Sequence, residues 1–127
     1  MILIPTSQSD AAISVEVGKV PSLNSFYASK HWIVRKKAKD KFKEEILDQL
    51  NQYDKVTFKC ISVKALVNYR YDLDNSIMCI KFALDAFKEW GGIPDDTKTY
   101  VCKVTIEDDS TLPKDTAKVF FIPRLEC

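Results

Sequence analysis

The sequence predicts an α/β domain in which helices lie on one mixed β-sheet, and three observations carry that prediction. Residues 13–17 and 99–106 alternate apolar and polar side chains with a period of two, the signature of half-buried strands. Residues 76–90 instead repeat apolar side chains at helical spacing and stop at Gly91-Gly92. The elements follow in the order β-α-β-α-β-β, which suits two main helices packed on a sheet. At 127 residues and 46% apolar composition, one domain spanning 1–127 is expected, with residues 1–12 set apart as a flexible or separate N-terminal segment.

Each element has its own local cause. Ile13, Val15 and Val17 alternate with Ser14, Glu16 and Gly18, and Pro21 ends that strand. Residues 21–27, rich in Ser and Asn, read as a structured loop. From Ser29, a candidate N-cap, to Asn51, the residues Trp32, Ile33, Phe42, Ile46, Leu47 and Leu50 form an interrupted apolar stripe. The break over 36–41 places the helix start near Ala38 and leaves 32–37 as a mobile basic loop.

Residues 54–68 are rich in Val, Ile and Phe, and their alternation changes phase near Cys60-Ile61, so they read as a long strand with a bulge or with both faces buried. The helix at 76–90 presents Ile77, Ile80, Leu84 and Phe87 on one face. After the Pro94-Asp95-Asp96 turn, residues 99–106 form a strand. Residues 107–115 are a polar connection, and Ala117 to Ile122 is a last strand that Pro123 ends. Three of the four cysteines, Cys60, Cys79 and Cys102, sit in apolar patterns and read as reduced core residues. No C-x-x-C pair exists and there is one histidine, His31, which excludes the usual zinc spacing. No apolar run of about 18 residues and no leader pattern is present, so a soluble, cytosolic protein is expected.

Charge is unevenly spread. Residues 30–43 hold seven basic side chains (Lys30, Arg35, Lys36, Lys37, Lys39, Lys41, Lys43) against Asp40, a net +6 in a chain of net +1, so the remainder is −5. Such a segment serves either an anionic partner held at one place or simply a solvated helix face. Asp72 and Asp74, two apart, precede the central helix, and Asp95 and Asp96 follow it. As carboxylates brought from separate elements they suit a hard cation such as Mg²⁺, which keeps several waters. The competing readings are an N-cap for Asp72 or Asp74 and an ordinary turn for Asp95-Asp96. Tyr69 and Tyr71 flank Arg70 and read either as packing or as stacking partners for an unpaired base. His31 beside Trp32 reads as a phosphate contact or as a residue with no role, rather than a metal ligand.

Four fragments in order, Pro21-Ser22-Leu23-Asn24-Ser25-Phe26-Tyr27, Asp72-Leu73-Asp74-Asn75, Lys81 with Asp85-Ala86, and Asp95-Asp96, resemble the RusA-like Holliday junction resolvases over residues 13–122. In that family the lysine normally follows the asparagine of D-x-D-N by three positions. Here Met78 stands there and Lys81 follows Asn75 by six.

The resemblance implies a RusA-like fold and a homodimeric endodeoxyribonuclease that resolves four-way branched DNA in recombination and repair. It implies Mg²⁺, with Mn²⁺ as a substitute, and a setting in the cytoplasm of a bacterial cell or phage-infected host, with no membrane partner. Asp72, Asp74 and Asp96 would be catalytic metal ligands, Asp95 an additional ligand or an orienter, and Lys81 a charge-compensating catalytic group. DNA contacts would come from Asn24, Tyr27, Lys30, Arg35, Lys36, Lys37, Lys39 and Arg70. The alternatives are a non-catalytic branched-DNA-binding module of the same fold, and a nuclease for flaps or forks.

Overall fold

The computed structural model describes residues 12–28 and 32–126. Four strands form one mixed sheet: β1 (Ile13–Val17), β2 (Cys60–Val67), β3 (Val101–Asp108) and β4 (Ala117–Arg124), in the order β1-β4-β2-β3. β4 is antiparallel to both β1 and β2, and β3 runs parallel to β2. Three helices accompany the sheet: α1 (Leu23–Ala28), α2 (Trp32–Leu50) and α3 (Met78–Trp90), the last entered through a 3-10 turn at Leu73–Ile77. The predicted α/β class and mixed sheet are therefore present.

Alternation decides which face of the sheet is dry. Ile13, Val15 and Val17 of β1, Ile61, Val63, Ala65 and Val67 of β2, and Ala117, Val119 and Phe121 of β4 are all buried. Against that face α3 inserts Phe87, which stacks on Phe121 at 4.0 Å, while Phe82 stacks on Phe42 of α2 at 4.9 Å and meets Phe26 of α1 edge-on at 5.8 Å. Every helix thus contributes an aromatic ring to one continuous core. The outer edge of β1 is closed by side chains: Gln49 accepts from the Glu16 N–H and donates to the Glu16 carbonyl, both at 2.7 Å, as a neighbouring strand would.

Several sequence expectations need correction. α2 starts at Trp32 and runs unbroken to Leu50, so 32–37 is helix and not a basic loop. Lys, Arg, Ala, Glu and Gln are strong helix formers, and with no Gly or Pro in the segment they carry the helix through a stretch that buries nothing. Trp32 and Ile33 are correspondingly exposed rather than part of a core stripe. The candidate cap Ser29 lies outside the described residues.

The predicted loop at 21–27 contains α1, whose first turn is capped by the Ser22 hydroxyl accepting from the Ser25 N–H at 3.1 Å. β2 is shorter than predicted, because the segment before it docks on the end of α3: Phe58 N–H donates to the Gly92 carbonyl at 2.8 Å and the Thr57 hydroxyl to the Gly91 carbonyl at 2.7 Å. The phase change does mark an irregularity, since the β2–β3 register shifts between Ile61 and Ser62. β4 continues through Pro123 to Arg124, and the missing N–H costs the ladder little there because β1 pairs only as far as Phe121. Cys60 and Cys79 are free and buried, as expected, whereas Cys102, half-buried on edge strand β3, is disulfide-bonded. Among the described residues no helix is long and apolar enough to cross a membrane.

Candidate metal and nucleic-acid site

The entry to α3 positions the first acidic pair. Asp72 stands at the N-cap of the 3-10 turn in extended conformation, and its backbone carbonyl accepts from Asn75 N–H, Ser76 N–H and the Ser76 hydroxyl at 3.0–3.1 Å. Its carboxylate makes no cap hydrogen bond. The capping alternative therefore fails for the Asp72 side chain, which projects from the surface. Asp74 is also exposed, and one of its oxygens accepts from the Asn75 N–H at 3.0 Å.

Asn75 then reaches across the chain: its side-chain oxygen accepts from the Asn24 N–H at 3.3 Å, a bond spanning 51 residues. That bond docks α1 on the 3-10 turn and joins the first two fragments singled out in the sequence.

The third and fourth fragments meet in a cleft between α1, α2 and α3. Its volume is about 290 Å³, and Tyr27, Lys39, Lys81, Asp85 and Asp96 line it over a floor that includes Met78. The Lys81 ammonium lies 5.9 Å from the centre of the Tyr27 ring. Asp72 and Asp74 are not part of this lining. Among the described residues no three or more His, Cys, Asp or Glu side chains are grouped so as to hold a metal ion, so the predicted convergence of carboxylates is not displayed as a ready cage. Exposed like charges repel one another where no cation lies between them, which favours separated carboxylates.

Asp95 belongs to the turn. Its carboxylate accepts from the Asp96 N–H at 2.8 Å and pairs with Lys88 of α3 at 3.4 Å. These two contacts, the backbone one first, hold its carboxyl below the usual carboxylate range. Asp95 thus anchors the loop that presents Asp96.

The basic residues divide by what they touch. Lys30 and His31 lie outside the described residues. Lys36, Lys37, Lys39 and Lys41 are exposed, Arg35 is half-buried, and Lys43 pairs with Glu89 of α3 at 3.5 Å. Lys39 alone among the described lysines of this segment faces the cleft beside Lys81 and Asp96. Arg70 is exposed beside the acidic turn, and Asn24 is exposed on α1.

Tyr69 is not available to a base. It is buried, donates its hydroxyl to the Gly18 carbonyl at 2.6 Å and stacks on Tyr71 at 6.1 Å, so this pair resolves in favour of packing. Burial above all raises its phenol well above the ordinary value. Sequence reasoning missed that Lys39 joins the cleft. The available signal was helical continuity from Lys39 through Phe42 and Ile46, which fixes the edge of α2 that Lys39 occupies. A comparison with protein-family models gives no match, and a comparison with curated proteins gives none either.

Proposed function

We propose that this protein is a metal-dependent, structure-selective endodeoxyribonuclease that cuts four-way branched DNA as a homodimer. The observation that carries the reading is the physical joining of fragments far apart in the chain. Asn24 is bonded to Asn75 beside Asp72 and Asp74, while Tyr27 and Lys81 share one cleft with Asp96.

The donor set fits a hard divalent cation. Asp72 and Asp74 on the 3-10 turn and Asp96 in the cleft offer exposed anionic oxygens, and Mg²⁺ is commonly held by one or two carboxylates plus substrate phosphate and water. When bound, the cation supplies an activated water and Lewis-acid help at the phosphate. The chain's own groups do the rest. Lys81 and Lys39 bring positive charge to the side of the cleft where a phosphate would rest, and Tyr27 backs the Lys81 ammonium. The exposed lysines of α2 hold the DNA backbone without reading bases. A four-way junction has approximate two-fold symmetry, so a C₂ dimer would bring one such site to each of two opposed strands.

The experiment is incubation with a synthetic four-way junction, with Mg²⁺, with Mn²⁺ and with EDTA, beside linear duplex. Asp72→Asn, Asp74→Asn and Asp96→Asn each keep size and remove a charge, so junction binding persists and cleavage falls steeply. Full activity in Asp74→Asn removes it from the ligand set. Tight junction binding with no cleavage under any divalent metal establishes the non-catalytic module instead, and preference for flaps or forks redirects the substrate.

A further inference from the structure

Among the described residues, the first turn of α2 is where three consecutive large apolar side chains are exposed. Trp32, Ile33 and Val34 are 65%, 49% and 56% exposed, three consecutive large apolar residues facing water at the head of a helix that then becomes strongly basic. They contribute nothing to the core, whose α2 members are Phe42, Ile46 and Leu50. An apolar cluster that the fold does not need points to a partner.

Helical geometry says what kind of partner. Trp32, Lys36, Lys39 and Lys43 fall at i, i+4, i+7 and i+11, one stripe along the helix. The stripe faces α3, because Lys43 pairs with Glu89 and Lys39 lines the cleft with Lys81 and Asp96. Seven residues at 1.5 Å each place Trp32 about 10 Å along the axis from Lys39, roughly three base steps of a B-form strand. Tyr27, also 55% exposed, precedes Trp32 by five residues, so their Cα atoms stand within about 18 Å of each other. Lysines spaced along a stripe with an exposed indole at its end match a nucleic-acid strand, whose phosphates need cations and whose unpaired bases need a flat apolar surface. An apolar protein surface would instead have to desolvate the neighbouring Lys36 and Lys37.

Resting on the reading above, we infer that Trp32 is a stacking platform for an unpaired base of the branched DNA, held while the backbone runs along Lys36 and Lys39 toward the cleft. The platform would favour branch points over intact duplex, since only opened or strained pairs offer a free base face. It carries no sequence preference of its own, because every base has such a face.

Tryptophan emission tests this directly. The chain has two tryptophans, and Trp90 is buried at 3% exposure, so a stacked base quenches Trp32 and leaves Trp90 emitting. The probes are a four-way junction, an oligo(dT) strand and blunt duplex, titrated into the full chain without divalent metal so that nothing is cut. Expected is quenching by junction and oligo(dT) but not by duplex.

Trp32→Ala should lose on the order of 5- to 150-fold in junction affinity with an unaltered salt slope, and Trp32→Phe should retain most of it. Junction binding with unchanged emission, or equal affinity for Trp32→Ala, overturns the inference and leaves the proposed function standing. Failure to bind any of the DNAs overturns both. If Trp32→Ala instead dissociates a DNA-free dimer in sedimentation, a second copy covers this turn and the inference is likewise overturned.

Discussion

Substituting Gly92 with alanine tests how tightly the candidate loop is tied to the core. A Cβ built on Gly92 falls within 3.0 Å of three atoms of the Phe87 ring. That ring cannot retreat, because it is fully buried, stacked on Phe121 at 4.0 Å with planes 7° apart, and close to Phe58 at 6.2 Å. The backbone must move instead, and the same residue accepts the Phe58 N–H. Overpacking of this kind costs about 1–3 kcal/mol. For a chain of this size that corresponds to roughly 4–11 °C in Tm, or about 1 M in urea midpoint.

Gly91→Ala is the control. Its φ of 98° is unfavourable for alanine, but nothing lies within 4 Å of its Cβ, so only a backbone penalty of about 1–2 kcal/mol applies. Phe87→Leu gives the ring edge back as space, and combining it with Gly92→Ala should cost less than the two changes summed. Strict additivity, or a Gly92→Ala protein as stable as the parent, would refute the clash. Because Gly92 precedes Asp96 by only four residues, the variant should also lose junction cleavage more than junction binding.

Other outcomes follow from particular contacts. Replacing Lys36, Lys37 and Lys39 with alanine should flatten the dependence of log affinity on log salt by about 0.9 for each lost phosphate contact, while Lys43→Ala, already paired with Glu89, should leave the slope nearly unaltered. Lys81→Ala should slow single-turnover cleavage at saturating protein by at least about tenfold with little change in binding, and an unaltered rate removes Lys81 from the site. Stability should fall on the alkaline side. Burial pushes the Cys79 thiol up to about 12, and burial also raises Tyr69, so the folded state holds both protons more tightly than the unfolded chain. The Cys79 contribution is complete below the ordinary thiol value near 9 and is lost as pH climbs toward about 12, and that of Tyr69 begins to fall only above the ordinary phenol value near 10. Urea midpoints for Cys79→Ala and Tyr69→Phe should therefore fall less steeply with rising pH than those of the parent, and parallel curves would count against the two groups.

What the sequence disclosed depended on whether one residue's burial dictated its neighbours'. β1 was legible because its inward Ile13, Val15 and Val17 leave Ser14 and Glu16 no choice but the outer face. The irregularity in β2 showed as a slipped phase for the same reason. α1 was not legible, since six residues with one buried side chain, Phe26, display no period. The start of α2 was misplaced because apolar spacing ends where the helix leaves the core, whereas helix propensity does not.

At the candidate site the fragments were visible singly, but their joints were not. The Asn24–Asn75 bond spans 51 residues, and the Lys88–Asp95 pair depends on how the loop folds back on α3. Such contacts leave no periodic trace.

Relative to the resolvase pattern that the sequence resembles, the lysine sits three positions late, and local structure accounts for that spacing. Three positions after Asn75 stands Met78, 1% exposed and part of the cleft floor beside Phe26 and Phe82. A lysine there would bury an ammonium among apolar groups, at a cost of several kcal/mol unless its pKa fell to neutralise it. The cause lies upstream. Leu73–Ile77 is a 3-10 turn of three residues per turn, and the 3.6-residue winding begins only at Met78, so counting from Asn75 in α-helical steps lands on an inward position. One turn later, Lys81 emerges into the cleft with Asp85 at i+4 and Asp96 from the following loop. Met78→Lys would therefore damage the core before it could report on chemistry, and a gain of cleavage from it would contradict the packing described here. On α3, position 81 lets a lysine offer its ammonium to the cleft without dismantling the floor that shapes it.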